Sequence, residues 1–275
     1  MKTQIFRHFF PAGLILMLLV SSCGGRQEGE SRVITGDQET TEITSRTGEG
    51  LEEYPIPTAV EVVELLQDAG APYILGISNP VSNVDRYFTE KSKALNLGVY
   101  GADLSYAGTY EMQQDIMKYL GVCKQLIEEL NISTSFNQGF VQRVENNLEN
   151  KDSLINIVSE SFYDTYIFLT GNHRDDLALL VMTGSWIEGM YLTAQIAIGA
   201  RENREITNII LQQDEPLEKL LSLLDEHEDD SLVYSLYQDL NEILEFLEDQ
   251  ESPMDDEALD SFNEKIELLR TEVID

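Results

Sequence analysis

Residues 177–200 read LALLVMTGSWIEGMYLTAQIAIGA, and Glu188 is their only charge. A helix of this composition is apolar on every side, so it is either a membrane span or the central member of a helical bundle. A span would hold Glu188 near the bilayer centre at a cost of several kcal/mol. Thr183, Ser185, Thr193 and Gln195 add further polar groups, and the amphipathic segments around this one all need an apolar partner. We therefore expect residues 177–200 to form the central helix of an all-α, compact multi-helix bundle.

A second stretch, residues 95–110, reads LNLGVYGADLSYAGTY and again holds one charge, Asp103. Gly98, Gly101 and Gly108 each cost a helix roughly 1 kcal/mol against alanine, which points to a packing or backbone requirement. On a helical wheel Asn96, Tyr100, Asp103, Tyr106 or Ala107, and Tyr110 share one face. In the first stretch Gly184, Glu188, Tyr191 and Gln195 do the same. Each apolar helix thus presents one carboxylate flanked by tyrosine.

A buried carboxylate needs a partner or a shifted pKa. Two readings follow. In one, Asp103 and Glu188 accept hydrogen bonds from Tyr, Thr or Trp side chains, or from helix N-termini, and lock helix register. In the other, Tyr100, Asp103, Tyr106, Tyr110, Trp186, Glu188, Tyr191 and Gln195 line a cleft for a cationic or hydroxyl-rich small ligand.

The flanking sequence carries helical periodicity throughout. Met112, Ile116, Tyr119, Cys123, Leu126 and Leu130 step by four and three, as do Val233, Leu236, Leu240, Ile243 and Leu247. Leu259, Phe262, Ile266, Leu269 and Val273 make a third seam. Breakers between the seams predict helices near 58–68, 83–94, 95–108, 110–130, 137–149, 153–170, 174–200, 204–226, 230–249 and 255–273. Pro216 is expected to break or kink its helix. No 34-residue period marks a solenoid.

Before the first helix the composition changes. Residues 24–53 are rich in Gly, Ser, Thr and Glu without an apolar period, the pattern of a flexible tether, and the bundle is expected over 55–275. Ahead of it, Lys2, Arg7 and His8 precede an apolar run at residues 14–20, which is signal-peptide length. Leu19-Val20-Ser21-Ser22-Cys23 then resembles the lipobox of bacterial lipoproteins. That resemblance covers the export signal alone. It implies cleavage after residue 22, acylation of Cys23, a mature tether over 23–54 and a lipid anchor in the cell envelope. Gly24 in place of Asp after the cysteine favours an outer membrane. Two or three acyl chains anchor stably where one is marginal.

Charge narrows the partners. Fifty Asp and Glu face eighteen Lys and Arg, a formal net charge of -32, and nucleic acid is thereby disfavoured. Over 202–275, 24 acidic and 4 basic residues give -20, either a solvated outer face or a docking surface for a basic protein. With Cys23 acylated, Cys123 has no cysteine to pair with and reads as a buried thiol. His173 and His227 are the only histidines after the signal segment, and His227 lies in an acidic turn without EF-hand spacing. No Walker A, dinucleotide, Cys-x-x-Cys, Gly-x-Ser-x-Gly or Glu-x-x-His motif occurs, so no cofactor, metal or catalytic residue is assigned. The expected role is a non-enzymatic binding or scaffolding lipoprotein. The alternative is an envelope enzyme or small-ligand receptor that uses Asp103 and Glu188.

Overall fold

Helix starts are written sharply into this chain. Thr58, Thr89, Asn150, Asn203, Asp230 and Asp255 each stand just before a helix, and each side chain accepts from its first free N–H groups. At Thr89 the cap is reciprocal, because Ser92 Oγ accepts the Thr89 N–H in return. The computed structural model describes residues 55–132, 134–227 and 230–275, so the proposed signal peptide, Cys23 and tether lie outside the described residues.

Ten α-helices and one short 3₁₀ helix make up the described chain, with no strand among the described residues. In order they are α1 (Ala59–Asp68), the 3₁₀ helix (Val81–Arg86), α2 (Glu90–Thr109), α3 (Gln113–Glu129), α4 (Thr134–Asn146) and α5 (Lys151–Gly171). There follow α6 (Asp175–Gly199), α7 (Arg204–Leu211), α8 (Asp214–Asp225), α9 (Ser231–Glu248) and α10 (Asp256–Ile274). The all-α bundle expected from the apolar periods is thus what forms.

Two boundaries differ from the sequence reading. The helices expected over 83–94 and 95–108 are instead the 3₁₀ helix and a single continuous α2, because the Thr89–Ser92 cap sets the start and nothing breaks the chain at residue 95. The helix expected over 204–226 is α7 and α8, parted at Gln212 and Gln213. Pro216 falls in the first turn of α8, where its missing N–H needs no partner.

α2 and α6 form the centre. Every residue from 94 to 109 is buried, and so is every residue from 177 to 190. α6 is long and apolar enough to cross a membrane, yet 94% of its most apolar window is buried inside the protein. Its apolarity on all sides matches neighbours on all sides. Gly98 meets the α6 backbone at Val181 and Ser185, and Gly184 meets the α2 backbone at Leu95 and Val99. Glycine at both points lets the two main chains touch without intervening side chains.

Candidate functional site

The tyrosine face of α2 does exist, and the segment leading into α2 lies across it. Residues 71–87 form a strap that follows this face and is fastened by main-chain groups. Tyr110 Oη donates to the Ala71 carbonyl (2.7 Å), and Tyr106 Oη accepts the Ile74 N–H (2.7 Å). Further along, Asp103 Oδ2 accepts the Asn79 N–H (3.0 Å) and Tyr100 Oη donates to the Pro80 carbonyl (2.8 Å). Tyr100, Asp103, Tyr106 and Tyr110 recur at three- and four-residue steps, so one helix face meets an extended segment at four successive points. Asn96, a turn earlier, reaches α10 at the Val273 carbonyl (2.9 Å).

On α6, Glu188 takes a different partner. Arg270 of α10 donates to it from both Nε (2.6 Å) and Nη2 (2.8 Å), a bidentate pair with neither side chain more than 9% exposed. Tyr191 stacks on the guanidinium, which lies 3.9 Å from its ring centroid. Arg270 also donates to the Ile77 carbonyl of the strap (3.3 Å). Gln195, a turn further along α6, donates to Asn263 of α10 (2.7 Å).

The expected partners of the two carboxylates therefore need correction. Neither accepts from a Tyr, Thr or Trp side chain in the hydrogen bonds described. Glu188 is held by an arginine, and Asp103 by a backbone N–H of the strap. Tyr100 and Tyr110 spend their hydroxyls on strap carbonyls. Trp186 is not part of this centre: it lies about 200° round α6 from Glu188 and is buried elsewhere.

Arg270 and the strap were missed in the sequence reading. One signal could have found Arg270: it stands four residues after Ile266, on the apolar seam of α10, where a cation is out of place unless paired. Residues 71–82 of the strap have no periodic signature to betray them, and residues 83–87 read as part of a helix.

Asp103, Glu188 and Arg270 share one dry centre with two carboxyls and a single cation. Burial pushes the Asp103 pKa well above the ordinary carboxylate range, the Glu188 charge pushes it further, and Arg270 pulls against both. The Ser78 side chain and the Asn79 N–H of the strap also lower that pKa by hydrogen bonding, although Oδ1 itself accepts no bond of ordinary geometry. Burial works against the Arg270 charge too, but Glu188 outweighs it and holds that guanidinium protonated.

The sign of the resulting stability follows. A carboxyl pKa raised by folding means that the folded state binds the proton more tightly. The Asp103 contribution is therefore fully present below its unfolded value and is lost as pH rises through the higher folded one. Between those two values the loss approaches about 1.4 kcal/mol for each pH unit, and above the folded one it is complete. Asp103→Asn, which cannot ionise, should melt near the wild-type temperature in acid and above it in mild alkali. Thermal melts across that range check this, and a variant that melts below wild type at every pH would refute it.

Open space lies elsewhere. A gap of about 20 Å³ beside Gly101, Cys123 and Phe162 holds about one water at most. A larger cleft of about 340 Å³ sits between the starts of α2 and α6, lined by Thr89, Glu90, Lys91, Arg174, Asp176 and Leu177. Its cations are already engaged, Lys91 with Asp230 and Arg174 with Glu90.

No protein-family model, curated protein or solved structure matches this chain.

Proposed function

We propose that this chain is a lipid-anchored protein of the bacterial cell envelope with a non-enzymatic binding or scaffolding role. The observation that carries the anchor is the apolar run at residues 14–20 ending in Leu19-Val20-Ser21-Ser22-Cys23, followed by a polar stretch and then the bundle. Gly24 favours the outer membrane as its seat. The binding role draws support from the closure of the polar centre. Asp103 and Glu188 are both 0% exposed, so neither reaches a solvent-side substrate as an acid–base pair would require.

Surface charge favours a basic protein as partner. Residues 202–275, helices and turns together, carry most of the acidic excess, and such binding weakens as salt rises. A small cationic or hydroxyl-rich ligand has less support, because the strap already fills the tyrosine face.

Membrane fractionation of cells expressing the full chain tests the anchor. Wild type should sediment with membranes and yield an N-terminal peptide beginning at acylated Cys23. Cys23→Ser should retain its leader or appear in the soluble fraction. Recovery of wild type with residues 1–22 attached and no acyl mass would overturn the reading.

A further inference from the structure

The strap is held by two chemically different fasteners at nearly the same place. Arg270 donates to the Ile77 carbonyl and Asp103 accepts the Asn79 N–H, so a single residue, Ser78, separates the two grips. Arg270 is a permanent cation at any ordinary pH. Asp103 can be neutral or charged. Its carboxyl takes the Asn79 N–H on Oδ2 and a hydrogen bond from the Ser78 side chain, both from the strap, and it is 0% exposed.

Ionisation of Asp103 sets two carboxylates against one guanidinium whose Nε and Nη2 are both given to Glu188. An uncompensated charge then sits where no water reaches, and lifting the strap is the move that lets water in. Packing along the strap is uneven: Ala71 and Tyr87 are buried at its two ends and Tyr73 stacks on Tyr106, whereas Leu75 at the bend between them is 74% exposed, so the movement is a local lifting of the middle of the segment. Gly70 and Gly76, at φ +76° and +83°, mark the two turns about which the segment bends.

We propose that residues 71–87 are a proton-gated strap, closed over α2 while Asp103 carries a proton and loosened when that proton leaves for solvent.

The groups facing Asp103 leave it as the one that titrates. From α2 they are Tyr100 and Tyr106, from α3 Tyr119 and Cys123, from α6 Glu188 and Tyr191, and from α10 Arg270. The strap contributes Tyr87, beside which Arg86 pairs with Asp275. Burial raises Tyr87, Tyr100, Tyr106, Tyr191 and the Cys123 thiol, and takes Tyr119 to about 12. These groups stay neutral from about pH 5 to about pH 9, and Arg270 stays charged. Glu188 is committed to Arg270 by both of its oxygens.

Hydrogen–deuterium exchange of the full-length protein, read by mass spectrometry and corrected for the intrinsic pH dependence of exchange, tests the gate. The readout is the protection of peptides covering 71–87 relative to peptides from α6. In wild type this ratio should fall as pH rises above the ordinary carboxylate range, by up to about tenfold per unit, and level off once Asp103 is ionised beneath the closed strap as well. In Asp103→Asn it should be flat. In Tyr100→Phe, which removes the Pro80 grip without touching charge, it should be lower throughout yet keep the wild-type slope. A flat wild-type ratio overturns the proposal whether or not either variant folds, and so does an unchanged slope in Asp103→Asn. Neither outcome bears on the lipid anchor.

Discussion

Gly98→Ala and Gly184→Ala should each destabilise the protein by about 3 kcal/mol or more, and the double variant should not fold. A Cβ on Gly184 would stand 1.9 Å from the Leu95 carbonyl oxygen, and one on Gly98 2.0 Å from that of Val181. Both obstacles are backbone, so no rotamer change relieves them. The helices would have to move apart. α2 and α6 are buried on all sides at this level, so separation disturbs every neighbour at once and opens gaps along the contact. Circular dichroism melts measure the loss. Gly121→Ala is the control: it lies within α3, its Cβ would meet nothing within 4 Å, and helix propensity predicts a gain of about 0.5–1 kcal/mol. If Gly184→Ala melts like wild type, the close crossing is wrong.

Arg270→Met is expected to cost about 3–5 kcal/mol, because it strands Glu188 as an unpaired buried carboxylate and frees the Ile77 carbonyl. The loss comes mainly from the orphaned charge rather than from the net strength of the pair. Removing both charges should therefore repair most of the damage. Glu188→Met added to Arg270→Met should bring stability back to within about 2 kcal/mol of wild type, since a buried pair replaced by apolar residues of like size is often neutral. A double-mutant cycle from denaturant titrations reads this as a strongly non-additive coupling. Additive losses in the two single variants would show that the ion pair is not the source. The pair is 2.6–2.8 Å in both contacts and its cation is stacked on Tyr191, so a large coupling is expected.

Much of the bundle could be read directly because apolar period is local information. The seam from Leu259 to Val273 is buried as its spacing implies, and residues 177–200, uniformly apolar, lie at the centre. The cap at Thr89 is hard to read from sequence, because its cue is a Thr–Ser pair rather than the common Thr–Glu. Where a helical pattern continued across Gln212–Gln213, the reading fused α7 and α8, since neither glutamine is a breaker on propensity alone.

The faces of the candidate site were also legible. Tyr100, Asp103, Tyr106 and Tyr110 share a face because 3.6 residues per turn requires it, and the same holds for Glu188, Tyr191 and Gln195. What those faces meet depended on contacts between residues far apart in the chain. Glu188 and Arg270 are 82 positions apart, and Asp103 reaches back 24 positions to Asn79. A helical period states which side chains point the same way, and it contains nothing about which distant segment arrives there. The sequence by itself determined an all-helical chain with two nearly uncharged central helices and one carboxylate on each. Only the tertiary structure decided that one carboxylate is paired with an arginine and the other grips a strap. Burying two charges in a shared space leaves their protonation to the one cation that space admits.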